Sequence, residues 1–166
     1  DLFITDTVKQ LVKDSGFPNM KVLEFAFDDR DSSSSDYSEN LYLPFNYTRN
    51  CVVYTGTHDN ETLRGWLDSI TPQELKNVRR YLGAPKSVKK KTLADLLIRQ
   101  ALGSVADMAI IPMWDYLRLD NSARINTPST LGDNWRWRMD FQAINKKTAR
   151  KIRKFTSVYG RINKLD

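Results

Sequence analysis

Three short apolar runs without a polar–apolar alternation most strongly constrain the fold of this chain. They lie at 21–27, 51–54 and 107–114, and segments with helical patterns separate them. Such runs are typical of strands buried on both faces of a parallel sheet, in which helices join consecutive strands. We therefore expect an α/β fold. In sheets and barrels of this kind, ligands bind where the strands deliver their C-terminal ends.

Helical patterns, several of them bounded by capping residues, occupy most of the remaining chain. The clearest start is Thr71-Pro-Gln-Glu74, a capping box with proline in the first turn. Asp6 is predicted to cap the first helix. The serine-rich segment 28–40 has no apolar period and predicts an exposed loop. The predicted helices cover about 7–15, 61–69, 71–82, 92–103 and, as a basic C-terminal helix, 141–159.

The second apolar run leads directly into Thr57, His58, Asp59 and Asn60, and His58 is the only histidine of the chain. At a strand end, the imidazole and the carboxylate could hydrogen-bond the hydroxyl groups of a sugar. A structural alternative is that Asp59 or Asn60 caps the helix predicted to follow. The residues alone leave both interpretations open.

Other kinds of site have weaker support. A metal site is not expected, because no second histidine or cysteine cluster would complete one. No cofactor is expected either. The spacing allows a Ser-His-Asp triad, but no G-x-S-x-G motif supports it. The segment 135–138, Trp-Arg-Trp-Arg, could stack on a ligand or pin a loop to the rim, and we favour the second. Several aromatic residues lie in or beside loops, where they suit pyranose rings or bases as well as core packing: Tyr42, Phe45, Tyr47, Trp114, Tyr116, Trp135 and Trp137.

Charge and cysteine content restrict the partners. Lysine and arginine number 26 against 20 acidic residues, for a net charge of +6. The basic runs at 86–91 and 146–154 could bind nucleic acid, although solvated helix and loop surfaces are the interpretation we favour. No apolar run approaches the roughly 20 residues that cross a bilayer. The single cysteine, Cys51, excludes an intrachain disulfide and favours a reducing compartment such as the cytoplasm.

Five segments together resemble a known family. They are NMKVLEFAF (19–27), NLYLPFNY (40–47), VVYTGTHDNET (52–62), ADMAIIPMWDYL (106–117) and ARINTPSTLGDNWRWR (123–138). In this order and spacing they resemble the C-terminal third of the amylomaltases, or disproportionating enzymes, which are 4-α-glucanotransferases of glycoside hydrolase family 77. The resemblance implies that 1–166 form the C-terminal portion, about strands 6 to 8, of one (β/α)8 catalytic barrel.

The resemblance also implies an activity. Family members transfer a segment of an α-1,4-glucan to a 4-hydroxyl of glucose or another glucan by a retaining double displacement. Asp59 matches the carboxylate that stabilises the transition state. His58 and Asn60 are expected to contact the same sugar, and Asp29 is expected near the acceptor. The nucleophilic aspartate and the acid/base glutamate are expected ahead of Asp1, so the chain alone is expected to be inactive.

Partners and location follow from the same resemblance. We expect α-1,4-glucans and maltooligosaccharides as ligands, no nucleic acid and no membrane, and a cytoplasmic or, in a plant, plastid location. Two open sheet edges predict self-association or closure by the N-terminal part of the barrel. A nucleic-acid-binding module and a non-catalytic glucan-binding piece are the alternatives. The chain departs from the family pattern at Phe45, usually histidine, Trp114, usually glutamine, and Ser129, usually glycine.

Overall fold

A three-stranded parallel sheet is the centre of the computed structural model, which describes residues 5–28 and 37–162. The strands are β1 (Asn19–Val22), β2 (Cys51–Tyr54) and β3 (Met108–Ile110), in the spatial order β1-β2-β3. Each strand is parallel to the one that follows it in the chain. The predicted α/β class is therefore confirmed, and β2 has the predicted bounds.

The helices begin and end close to the predicted positions. They are α1 (Asp6–Ser15), α2 (Leu63–Ser69), α3 (Pro72–Tyr81), α4 (Lys90–Gly103), α5 (Met113–Tyr116) and α6 (Lys146–Val158). The capping box predicted at Thr71 and Glu74 is present. Thr5, and not Asp6, caps α1, since the Val8 amide donates to its hydroxyl oxygen. In the described ranges, every helix is too short or too polar to cross a membrane.

The first predicted strand is partly wrong. The apolar run at 21–27 forms a strand only as far as Val22, and Leu23–Phe27 form a 3₁₀ helix. Leu23 and Ala26 are buried at the three-residue spacing of that helix, and so are Glu24 and Phe27. A short apolar run does not distinguish a buried strand from a buried helical turn, which explains the error. As a result, Glu24 is the second residue beyond the strand and turns inward.

The other two errors concern element bounds. The run at 107–114 is extended only over β3, because Pro112 begins the short helix α5. The final helix begins later than 141, after Asn145, whose side chain accepts hydrogen bonds from the amides of Lys147 and Thr148. Phe141–Ala143 instead form a separate 3₁₀ turn.

The two faces of the sheet have different surroundings. On one face Cys51 and Val53 are fully buried, packed in a core with α2 and α4 through Leu63, Leu67, Leu93, Leu97 and Ile98. On the other face the register aligns Met20 with Val52 and Met108, and Tyr54 with Ile110. Met20, Met108 and Ile110 are exposed there, by 61%, 52% and 40%. This second face is called the open face below, and it meets the C-terminal end of β2.

Candidate functional site

The segment that follows β2 is a tight turn. The Asn60 amide donates to the Thr57 carbonyl oxygen over 3.2 Å, so that His58 and Asp59 are its two central residues. The Asn60 side-chain oxygen accepts from the Thr57 amide (3.0 Å) and from the Thr57 hydroxyl (2.7 Å). The turn of residues 57–60 is therefore closed at its base, and its tip carries an imidazole and a carboxylate.

Neither Asp59 nor Asn60 caps the next helix. Helix α2 is capped by Thr62, whose hydroxyl oxygen accepts from the Gly65 amide over 3.0 Å. The capping alternative for Asp59 and Asn60 is therefore wrong. The Asn60 side chain instead closes the turn, and the Asp59 carboxylate remains available.

The Asp59 carboxylate is held from two sides and is open on the others. Its Oδ1 accepts from the Asn126 side-chain amide over 2.6 Å and lies 3.3 Å from His58 Nε2. The Arg124 guanidinium donates to the Asp59 carbonyl oxygen over 2.8 Å. The Asp59 side chain is nevertheless 49% exposed. This arrangement sets the direction of the carboxylate and leaves it accessible to a ligand.

His58 packs against an indole. The ring centroids of His58 and Trp135 are 5.2 Å apart and their planes are inclined by 36°. Trp135 adopts a φ of +66°, and its amide donates to the Ile125 carbonyl oxygen over 2.7 Å. A bulky residue in the left-handed region is a source of backbone strain that tends to occur at functional sites. The strained backbone places the indole beside the imidazole.

Two cavities meet at Asp59. One, of about 480 Å³, lies on the open face and is lined by Met20, Tyr54, His58, Asp59, Ile110 and Trp114, among others. The second, of about 460 Å³, is lined by Glu24, Phe25, Asp59, Asn60, Trp66 and Arg124, among others. Apolar walls with a few convergent polar groups are typical of small-molecule sites. Aromatic walls beside a carboxylate and an imidazole suit the apolar faces and the hydroxyl groups of a sugar.

Two buried carboxyl groups lie below the turn. Asp115, on α5, accepts from the Thr55 hydroxyl (2.6 Å) and from the Leu63 amide (2.8 Å). Burial raises the pKa of Asp115 to about 6, and these two hydrogen bonds act in the opposite direction. Glu24 is 4% exposed, and burial raises the pKa of its carboxyl well above 4.5. Asp115 therefore ties together the end of β2 and the starts of α2 and α5.

Sequence reasoning missed several of these residues. Asn126 and Arg124 lie in the segment 123–138 that carried the family resemblance, but no local pattern pointed to Asp59 as their partner. Glu24 and Asp115 had a weak signal, since each is an acidic residue inside or beside an apolar run. Buried acidic residues without an ion-pair partner are uncommon, so such positions are worth examining.

The remaining predicted residues are less central. Asp29 lies outside the described residues. Trp137 packs edge-on against Trp114, with centroids 5.6 Å apart, and Arg138 donates to the carbonyl oxygens of Trp135 and Trp137. These contacts agree with the interpretation that 135–138 pin a loop to the rim. Among the described residues, no group of three histidine, cysteine, aspartate or glutamate side chains is placed to hold a metal ion.

Comparison with known proteins places these features in a family. The glycoside hydrolase 77 model, described as 4-alpha-glucanotransferase, matches residues 1–144. A 4-alpha-glucanotransferase of Clostridium butyricum is 42% identical over 159 residues, which are 96% of this chain and 31% of that protein. The chloroplastic/amyloplastic 4-alpha-glucanotransferase of Solanum tuberosum is 42% identical over 163 residues, 96% of this chain and 26% of that protein.

A solved structure agrees with the sequence comparisons. An amylomaltase from Streptococcus agalactiae, in complex with acarbose, matches with a TM-score of 0.85 and 29% identity, over 97% of this chain and 31% of that one. The chain thus spans less than a third of the length of each of these relatives.

Proposed function

The chain belongs to the 4-alpha-glucanotransferases of glycoside hydrolase family 77, and from this premise we propose that it supplies the transition-state-stabilising carboxylate of such an enzyme. The reaction is transfer of an α-1,4-glucan segment to a 4-hydroxyl of glucose or another glucan by a retaining double displacement. The observation that carries the proposal is the Asp59 carboxylate, fixed by Asn126 and half exposed where two cavities meet.

The geometry at Asp59 suits this role. A carboxylate that accepts hydrogen bonds from two sugar hydroxyls binds more strongly as the ring flattens toward the oxocarbenium-like transition state. Asn126 and His58 already fix Oδ1 of Asp59. The carboxylate therefore needs little reorganisation when positive charge develops on the sugar ring. The exposed part of the carboxylate then faces the sugar.

The neighbouring residues have supporting roles in the proposal. His58 contacts the same sugar through its half-exposed imidazole, which Trp135 holds from one side. Asn60 also stays a proposed sugar contact, although its side-chain oxygen is occupied by Thr57. Asp29 stays a proposed contact on the acceptor side. The ligands proposed are α-1,4-glucans and maltooligosaccharides, and the acarbose bound to the streptococcal amylomaltase supports that class.

The rest of the catalytic machinery is proposed to lie outside this chain. The family resemblance assigns the nucleophilic aspartate and the acid/base glutamate to segments ahead of Asp1. We propose that the chain forms about strands 6 to 8 of a (β/α)8 barrel, that other strands cover its open face, and that the chain alone is inactive. The proposed location is the cytoplasm, or the plastid for a plant protein, as in the name of the potato relative.

The proposal is tested by Asp59→Asn in the complete enzyme. We expect kcat on maltotriose to fall about 10²- to 10³-fold, since contacts of this kind supply several kcal/mol in the transition state. KM should change little, because the interaction is made mainly in the transition state. Steady-state kinetics and separate maltooligosaccharide titration by calorimetry measure the two effects.

The matched control is Asp14→Asn, which removes one carboxylate from the exposed surface of α1 and should leave both constants unchanged. A rise in KM as large as the fall in kcat would contradict the role proposed for Asp59, because it would indicate ordinary ground-state binding.

A further inference from the structure

We propose that Glu24 is a positioning residue that holds the turn of residues 57–60 and so directs the Asp59 carboxylate. The function proposed above assigns no part to Glu24. Its role in catalysis rests on that proposed function. Its effect on the turn does not.

The Glu24 side chain lies beneath the turn of residues 57–60. Glu24 is 4% exposed and follows β1, where its backbone amide donates to the Thr55 carbonyl oxygen over 3.3 Å. A methyl group added to Gly56 would lie 3.0 Å from Glu24 Oε1 and 3.2 Å from the Asn60 Cβ. The carboxyl group is therefore packed directly beneath the residues that begin and close the turn. Glu24 also lines the 460 Å³ cavity, and its Oε1 has no hydrogen-bond partner among the described residues.

The surroundings favour a neutral carboxyl. Burial is the largest cause of its raised pKa, and the nearby carboxylates of Asp115 and Glu61 add to it. Arg124 and a hydrogen bond with Asn60 act in the opposite direction. The other acidic residues that line the cavity are Asp28, Asp59 and Glu74. An ionised Glu24 would thus be a buried charge that faces several carboxylates, which is unfavourable.

Ionisation of Glu24 would act on Asp59 through Arg124. The Arg124 guanidinium donates to the backbone carbonyl oxygens of Asp59 (2.8 Å) and Asn126 (2.9 Å), and it is 4.0 Å from Glu61. A negative Glu24 would attract this cation away from the Asp59 carbonyl oxygen. The turn would then lose one of its two supports from the segment that follows α5. In its neutral form, Glu24 leaves Arg124 in place.

The single histidine of the chain makes this inference measurable. The Cε1 proton of His58 gives one NMR signal, and His58 is half exposed on the turn itself. In the wild-type chain, we expect the pH dependence of that signal to include an inflection due to Glu24, at a pH above the ordinary range of a glutamate carboxyl. In Glu24→Gln this Glu24 inflection should be absent, because glutamine keeps the shape and neutral charge at every pH.

Glu39→Gln is the matched control, since it removes one carboxylate from an exposed position and should keep the Glu24 inflection. Persistence of that inflection in Glu24→Gln, or its absence from the wild type, would overturn the proposal. So would misfolding of Glu24→Gln by circular dichroism, because a neutral isostere must be tolerated if the neutral form is the working one.

Kinetics of the complete enzyme provide the functional measurement. Glu24→Gln should keep the kcat on maltotriose at the pH where Glu24 is neutral and remove the fall in kcat that accompanies ionisation of Glu24, with KM unchanged. An unaltered pH profile of kcat would overturn the positioning role. An enzyme without glucan turnover would contradict the proposed function, whereas the His58 titration would still decide the effect of Glu24 on the turn.

Discussion

Residues with a positive φ mark the places where this chain departs from ordinary backbone geometry. Apart from glycine, three described residues adopt one: Arg118, Ser129 and Trp135. For Trp135 the strained geometry has a visible result, since it brings the indole to His58. Ser129 is different. It is exposed, with a φ of +62°, and the family resemblance predicts glycine at this position. Serine in this conformation is strained.

Replacing Ser129 by glycine should stabilise the protein. A left-handed residue other than glycine costs about 1–2 kcal/mol, and the extra chain entropy of glycine offsets about 0.5–1 kcal/mol. We expect the free energy of unfolding to rise by about 0.5–1 kcal/mol in urea denaturation. Ser87→Gly is the control, because Ser87 is exposed and has no positive φ, so that glycine there should be neutral or destabilising. Equal effects of the two substitutions would count against strain at Ser129.

Capping residues at the helix ends and contacts between helices define most elements of this fold. Lysines of the basic runs make several of the contacts between helices. Lys90 pairs with Asp68 over 3.3 Å, at the start of α4. Lys151, on α6, pairs with Asp95 over 2.8 Å and donates to the Tyr116 carbonyl oxygen over 2.7 Å. Part of the basic excess therefore joins α6 to α4 and α5, which the interpretation of the basic runs as solvated surfaces did not include.

The start of α3 gives a prediction at the scale of an element. The Thr71 hydroxyl accepts from the Glu74 amide over 3.1 Å, and the Glu74 carboxylate accepts from the Thr71 amide over 2.7 Å. Thr71→Ala removes the first bond and should lower the free energy of unfolding by about 1 kcal/mol. Thr71→Ser keeps the hydroxyl and should lose much less, in chemical denaturation of both variants. Similar losses for alanine and serine would show that the methyl group, and not the cap, matters.

At the scale of the whole molecule, the residues that the structure describes bury one face of the sheet and leave apolar side chains of the other face exposed. All-parallel sheets in proteins are normally covered on both faces. In the described residues the outer edges of β1 and β3 have no strand partner, and Met20, Met108 and Ile110 are exposed beside them. Edges and apolar faces of this kind promote association. The same face borders the cavity at Asp59, so whatever covers the sheet also completes the proposed site.

The 166-residue chain should therefore self-associate in solution. Sedimentation velocity is expected to show species larger than the 19.2 kDa monomer. Met108→Lys places a charge on the open face and should shift the distribution toward the monomer. Leu131→Lys is the control, because Leu131 is fully exposed on a loop and its substitution should change nothing. A monomeric wild-type chain at all concentrations would contradict the prediction.

The sequence by itself determined the features that depend on neighbouring residues. The cap of α3, the bounds of β2 and the position of His58 and Asp59 at a strand end could all be predicted, because turns and capping boxes are formed within three or four residues. The fold class followed from the pattern of apolar runs, and the family from the order of five segments.

Only the tertiary structure decided what meets at the site. Asn126 and Arg124 reach Asp59 from 67 and 65 residues away, and Glu24 lies beneath the turn because β1 ends two residues before it. The sequence also could not predict that Thr62, and not Asn60, caps α2, because threonine and asparagine both cap helices well. Contacts between distant residues depend on how the strands and helices pack, and a local pattern carries no record of that packing.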